Sequence, residues 1–185
     1  HYMGRAINVS PNHPVFIDKF LENAYEIDVD AISDGTETRI AGILQHIEEA
    51  GIHSGDSAMV FPTYRIAANH LEQIRQITRT LAKKLKVVGL LNVQFAIHND
   101  SVYVIEANPR ASRTIPFISK ATGVPFVKKA IQVKMGAKLS ELGLEDEVKP
   151  PLINVKASVF PFNNFPNEDP LLGPQMRSTG EVMGR

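Results

Sequence analysis

The sequence predicts an α+β fold in which an antiparallel sheet is flanked by helices, and three patterns carry that prediction. Residues 24–32, AYEIDVDAI, alternate apolar and acidic side chains and pass through the tight-turn signal Asp34-Gly35 into a return run, TRIAGILQHI. A second alternating pair, NVQFAIH and VYVIEAN, flanks a turn at Asn99-Asp100-Ser101. Between the two hairpins, Leu71, Ile74, Ile77 or Thr78, Leu81 and Leu85 recur every three to four residues, which makes 67–85 a helix that packs on the sheet.

Composition narrows the function classes. Twenty basic and twenty acidic residues give the 185-residue chain no net formal charge, which argues against a nucleic-acid platform or a polybasic membrane surface. Without cysteine there is no disulfide framework, thiolate zinc site or cysteine nucleophile, which fits a reducing cytosol. No apolar run approaches the roughly 20 residues of a membrane span, and the start lacks the apolar core of a secretory signal. Residues 1–12 read as a lead-in, with His1-Tyr2-Met3-Gly4 as an expression remnant.

The remaining elements follow in order. After His13-Pro14 the short run VFIDKFL leads to the first hairpin, whose carboxylates at every second position predict a wet sheet face. HIEEAGIHSGDSAMVFP, glycine-rich and bounded by Pro62, is a loop following a strand. His53 beside Ser54-Gly55-Asp56 forms no hydrolase triad, since no G-x-S-x-G elbow is present. The basic end of the long helix, with Lys83, Lys84 and Lys86, complements the helix dipole. Thr114 to Thr122 is a short helix ended by Gly123, and Pro125 opens another that runs to about Met135 before Gly136. Its surface lysines Lys120, Lys128 and Lys129 are solvated in the plain reading. Ser140 to Leu144 adds a helical turn. Pro150-Pro151 then breaks the chain, VKASVFPF is a last strand, and FPNEDPLLGPQMRSTGEVMG shows little periodicity.

The chemistry gathers at the open end of the second hairpin. A three-residue turn sets His98 against Val102, Gln94 opposite Glu106 and Asn92 opposite Asn108. Gln94, Glu106 and Asn108 then share a face, with Val93, Phe95, Ile97, Tyr103, Ile105 and Ala107 buried behind them. One carboxylate and two amide oxygens suit a hard cation such as Mg²⁺, which keeps water and phosphate oxygens in its remaining positions. Arg110 and Arg113, just beyond, are fixed cations for an anionic substrate or a transferring phosphoryl group. The bland alternative is a solvated strand end.

Word strings add to this reading. IEANPRASRTIPFISKATGVP, with Gln94 of NVQF twelve residues before Glu106, and HIEEAGIHSGDSA resemble the large chain of carbamoyl-phosphate synthase, a member of the ATP-grasp superfamily. The resemblance runs from about His13 to Gly184, and HSGDSA, NPRASRTIPF and MRSTGEVMG look like the second of that chain's two ATP-grasp halves, the first carrying T-G-D for S-G-D. It implies an incomplete ATP-grasp fold, with residues 13–149 as the nucleotide- and metal-binding portion and 150–185 as a C-terminal strand and linker. It implies phosphoryl transfer from ATP to carbamate, within the synthesis of carbamoyl phosphate from bicarbonate, glutamine-derived ammonia and two ATP. That product feeds arginine and pyrimidine synthesis, in the cytoplasm and with a small glutaminase chain as partner.

Residue by residue, the resemblance implies that the segment Asp18 to Leu21 lies on the adenine, with Lys19 and Leu21 as hinge contacts, and that Glu26 takes the ribose hydroxyls. Gly51, Ile52, His53 and Ser54 run along the nucleotide, while Gln94, Glu106 and Asn108 hold one or two Mg²⁺ or Mn²⁺ ions. Arg110 and Arg113, with Asn108, carry the transfer, and Glu26, His46, Glu49, the Ile52 carbonyl and Ser54 form a K⁺ site. Because an ATP-grasp site closes between two lobes, a chain that starts inside the fold is expected to be inactive alone. The rival readings are another ATP-grasp ligase such as a biotin carboxylase-like enzyme, and a non-catalytic structural or nucleotide-binding fragment.

Overall fold

The computed structural model describes residues 14, 17, 19–165, 167 and 169–185. The lead-in 1–12, His13, and Val15, Phe16 and Asp18 of the VFIDKFL run, the last of them part of the expected adenine contact, lie outside the described residues. Seven strands follow: β1 (Tyr25–Asp34), β2 (Thr38–His46), β3 (Met59–Phe61), β4 (Val88–His98), β5 (Ser101–Asn108), β6 (Asn154–Val159) and β7 (Gly180–Gly184). The helices are α1 (Ala68–Lys84), α2 (Thr114–Thr122) and α3 (Phe126–Lys134), with a 3₁₀ turn at Leu139–Glu141. All strand pairs are antiparallel and form one sheet in the order β5-β4-β1-β2-β3-β6-β7.

Each face of the sheet has its own core. Ile27, Val29, Ile43, Val93, Phe95 and Ile97 pack under Ile74 and Ala82 of α1. On the other face Ile32, Leu44, Met59, Phe61 and Leu90 pack against Ile115, Phe117 and Ile118 of α2 and Phe126, Ala130 and Val133 of α3. The stripe of α1 that meets the sheet is His70, Ile74, Thr78 and Ala82, not the leucines, and Leu85 is exposed. Small residues at Thr78 and Ala82 let the helix approach closely; the Thr78 hydroxyl is satisfied by donating to the Ile74 carbonyl over 2.8 Å. Leu71, Ile77 and Leu81 pack along the flank.

The central hairpin keeps its expected register by an unexpected route. His98 pairs with Ser101, so the loop holds only Asn99 and Asp100, both at positive φ (47° and 61°). A two-residue loop with both φ positive matches the twist of the flanking strands, which a three-residue turn does only with a bulge beside it. Further along, the register shifts between Gln94 and Phe95, where Ile105 is the extra residue. Gln94 therefore still faces Glu106, and Asn92 faces Asn108.

Three other expectations are corrected. Tyr103 and Ile105, expected in the core, are 42% and 50% exposed, because β5 is the edge strand of the sheet and no element among the described residues covers these side chains. Asp28 and Asp30, expected on a wet face, are 2% and 1% exposed, because the loop before α2 and the strand β6 close over them. The tail is not featureless, since β7 pairs with β6 along Val155–Val159 and completes the sheet. Backbone pairing by a short edge strand leaves no strong alternation to read.

Candidate functional site

The β1 strand carries Glu26, Asp28 and Asp30 along one face, and each carboxylate meets a different partner set. His46, across on β2, lies between the first two, with Nδ1 3.2 Å from Glu26 and Nε2 3.3 Å from Asp28. Burial works against charge on this imidazole, but the hydrogen bonds and charges of Asp28 and Glu26 outweigh it and raise the pKa to about 9. The other Glu26 oxygen accepts the Gly51 N–H over 3.1 Å. Burial, helped by the charge of Asp28, pushes the Asp30 carboxyl up to about 7 against hydrogen bonds from Ser112, Thr114 and Asn92. Asn92 Nδ2 bridges the pair, 2.8 Å from Asp28 Oδ1 and 3.2 Å from Asp30 Oδ1.

The hairpin's three oxygen-bearing residues occupy neighbouring positions. Asn108 Nδ2 donates to Glu106 Oε1 over 2.8 Å on β5, and Gln94 faces Glu106 from β4 while donating Nε2 to Ser54 Oγ over 2.8 Å. Beyond them the chain turns back at Pro109, with the Arg110 N–H bonded to the Asn108 carbonyl over 2.8 Å. Arg110 and Arg113 are exposed at the mouth of a cleft of about 140 Å³ that Asp28, His53, Ser54, Gln94 and Lys156 also line.

Lys156 rises into this cleft from β6, only 1% exposed, with Nζ 3.3 Å from the Ser54 carbonyl and 4.0 Å from Glu181. Burial lowers its pKa despite the opposing charges of Glu181 and Asp28. Three cations thus face one small cavity.

The loop at 51–57 is tied from the tail. Asp56 accepts the backbone N–H groups of Arg177 and Ser178, each over 2.8 Å, and the His53 N–H reaches the Gly173 carbonyl over 2.8 Å. Ser178 Oγ donates to the Gly55 carbonyl over 2.8 Å and accepts from Arg113 Nη1 over 3.1 Å. The tail is therefore a strap across the loop that also holds one arginine of the cleft.

The cleft brings together His53, Ser54, Gln94, Arg110 and Arg113, with Glu106 and Asn108 beside Gln94. Gly51 and Glu26 are bonded to each other, and the ring of Phe20, between Lys19 and Leu21, rests against Gly51. Lys19 itself is exposed, Leu21 and Ile52 are half-buried, and none of the three lines the cleft. Glu49 lines a different depression, next to His46 and Tyr64. Sequence reasoning passed over Asp28, Asp30, Asn92, Ser112, Thr114, Lys156 and Ser178. The period-two acids of β1 were the available signal for the first pair; Lys156 and Ser178 reach the site from more than 40 residues beyond Arg113 and leave no local mark.

Residues 2–142 match the family model for the carbamoyl-phosphate synthase L chain, ATP binding domain. The chain is 56% identical over 186 residues to a carbamoyl phosphate synthase large chain of Methanothermobacter thermautotrophicus, covering 99% of this chain and 18% of the relative. It is 55% identical over 183 residues to the large chain of Archaeoglobus fulgidus, covering 99% and 17%. The chain thus spans less than a fifth of the length of these curated relatives. Among solved structures, the biotin carboxylase domain of a single-chain bacterial carboxylase superposes with a TM-score of 0.69 at 17% identity, over 86% of this chain and 43% of that one. The biotin carboxylase domain of Hydrogenobacter thermophilus 2-oxoglutarate carboxylase, in complex with MgADP, ADP and bicarbonate, gives 0.62 at 17% identity, over 76% and 31%. These likenesses establish the ATP-grasp fold, and with the family match over most of its length the chain belongs to the carbamoyl-phosphate synthase large-chain ATP-binding domain family.

Proposed function

We propose that this chain is the nucleotide-binding portion of a carbamoyl-phosphate synthase large chain, of the half that transfers the ATP γ-phosphoryl group to carbamate. The observation that carries the proposal is the convergence of Arg110, Arg113 and Lys156 on one cleft whose rim bears Gln94, with Glu106 and Asn108 beside it. A carbamate oxygen would attack the γ-phosphorus as the bond to ADP breaks, so the protein has to place two anions in line and offset their charge. Arg110 and Arg113 supply fixed positive charge for this, and Ser178 keeps the second guanidinium in place. No side chain has to act as a covalent nucleophile.

Gln94, Glu106 and Asn108 fit a hard divalent ion, since they offer one carboxylate and two amide oxygens on adjoining strand positions. When bound there, Mg²⁺ or Mn²⁺ would neutralise the charge that spreads over the nucleotide phosphates. Glu26 is the ribose acceptor in this reading; its carboxylate has lone pairs beyond those used by Gly51 and His46. In this reading Lys19 and Leu21 border the adenine, with Gly51 to Ser54 along the nucleotide. The glutaminase partner chain and a cytoplasmic setting complete the proposal; no described helix is long and apolar enough to cross a membrane. The K⁺ site expected at Glu26, His46, Glu49, the Ile52 carbonyl and Ser54 is not carried over, because His46, with its pKa raised to about 9, already offsets the charge of Glu26.

Titration calorimetry tests it. The chain should bind MgADP, and Glu106→Ala should abolish the binding. At native length, with MgADP, the protein should make ATP from carbamoyl phosphate; ATP cleavage that depends on bicarbonate and biotin, with no ATP formed from carbamoyl phosphate, would refute the reading, as would unchanged MgADP binding in the variant.

A further inference from the structure

The cleft explains what Arg113 faces but not why its backbone lies where it does. Arg113 stands immediately before α2 and caps it without a side-chain bond to the helix. Its two neighbours, Ser112 and Thr114, both turn inward to one carboxyl group. Ser112 Oγ donates to Asp30 Oδ1 over 2.6 Å, and Thr114 Oγ1 makes a short hydrogen bond to Asp30 Oδ2. The two hydroxyls are 2.8 Å apart, and Ser112 Oγ also accepts the Ile115 N–H over 3.2 Å. Asp30 is held in turn by Asn92 and sits on β1, the strand bonded to β2 on one side and β4 on the other.

Two apolar side chains would join this loop to the sheet without burying a charged group. What a carboxyl adds is direction: two acceptor oxygens at a fixed separation take two hydroxyls at i and i+2 and leave the residue between them one orientation. From Asp30, then, we infer a positioning residue for Arg113, bracketing its backbone through Ser112 and Thr114 while Ser178 holds the guanidinium. Asp30 is 1% exposed and does not line the cleft. Its effect reaches the reaction through the arginine, and in this respect the inference rests on Arg113 serving as the substrate cation.

The test is a double-mutant cycle in the protein at its native length, following ATP formation from MgADP and carbamoyl phosphate. Arg113→Gln should lower kcat by about 100-fold or more. Asp30→Ala should lower it about tenfold while leaving KM for MgADP within about twofold, as expected when a transition-state contact is misplaced. In the Arg113→Gln background the same Asp30→Ala change should cost less than about twofold, because the group it positions is gone. Asp30→Asn, which keeps the shape and part of the bonding, should recover most of the rate. If Asp30→Ala fails to fold, judged by urea unfolding, the pair Ser112→Ala and Thr114→Val removes the same bracket from the loop side and should give the same non-additive pattern. Losses that multiply in full across the cycle would overturn the inference alone and leave Asp30 a general stabiliser. Full activity in Arg113→Gln would remove the assignment of the arginine itself, and the bracket's purpose with it.

Discussion

Asn108 donates its side-chain amide to Glu106 across 2.8 Å, locking two neighbours on the same face of β5 into a pair beside Gln94. In the proposed metal reading, a pair joined by its own internal bond is organised before any ion arrives, so removing either member should weaken metal-dependent binding disproportionately. Disrupting even an outer partner of a metal ligand typically costs roughly 10- to 100-fold in metal affinity. MgADP affinity, measured calorimetrically, should therefore fall by at least about tenfold in Asn108→Ala and beyond detection in Glu106→Ala.

The buried Asp30 carboxyl makes stability depend on pH in a definite window. Its pKa is raised by burial to about 7, while in the unfolded chain it titrates near 3.8. The folded protein thus retains a proton that the unfolded chain releases, so this group's contribution is present in full below pH 3.8 and is lost as pH rises through about 7. At roughly 1.4 kcal/mol per pH unit the change amounts to a few kcal/mol at most. Urea unfolding of Asp30→Asn, compared with the parent between pH 4 and 8, should show a flatter profile; identical slopes would count against a buried titrating acid.

Asp56 behaves in the opposite sense. Burial raises its pKa, but hydrogen bonds from Ser178 and the Arg177 N–H, with the charge of His53, outweigh that and leave it below 3.8. Its stabilisation is therefore present above pH 3.8 and is lost as the pH falls below it. Asp56→Ala leaves two N–H groups of the strap without an acceptor, a loss of about 2 kcal/mol or more. Amide exchange at 177 and 178 should accelerate in the variant, and the acid limb of the parent's stability curve should flatten.

Gly42 on β2 lies against the side chains of Ile118 on α2 and Phe61 on β3. A methyl group there would lie 3.1 Å from both Ile118 Cδ1 and Phe61 Cζ. Gly42→Ala should destabilise by roughly 1–3 kcal/mol through overpacking, read from the urea midpoint. Truncating Ile118 to Val in the same molecule should restore part of the loss.

Much of the fold could be read from local alternation, and the limits of that reading have physical causes. Alternation marks a strand and its two faces; it does not say what covers them. The acids of β1 look solvated until the Ser112–Thr114 loop and Lys156 close over them, and Tyr103 and Ile105 look buried although no element among the described residues covers them on the edge strand. The register of Gln94 with Glu106 emerged correctly because a shorter turn and a bulge at Ile105 offset one another. Arg110 and Arg113 were visible through their place after the hairpin. Lys156 and Ser178 were not, since only the folded chain carries them to the cleft.

The uncovered flank at β5 has a practical consequence. Tyr103, Val104 and Ile105 follow one another on β5, 42%, 44% and 50% exposed, beside a row of peptide groups that no further strand among the described residues takes up. Such a border is a template for self-association. In concentrated solution this polypeptide should zip to a sister molecule there, and a lysine at Val104 should keep it monodisperse in sedimentation without disturbing the arginines at the far end of the hairpin.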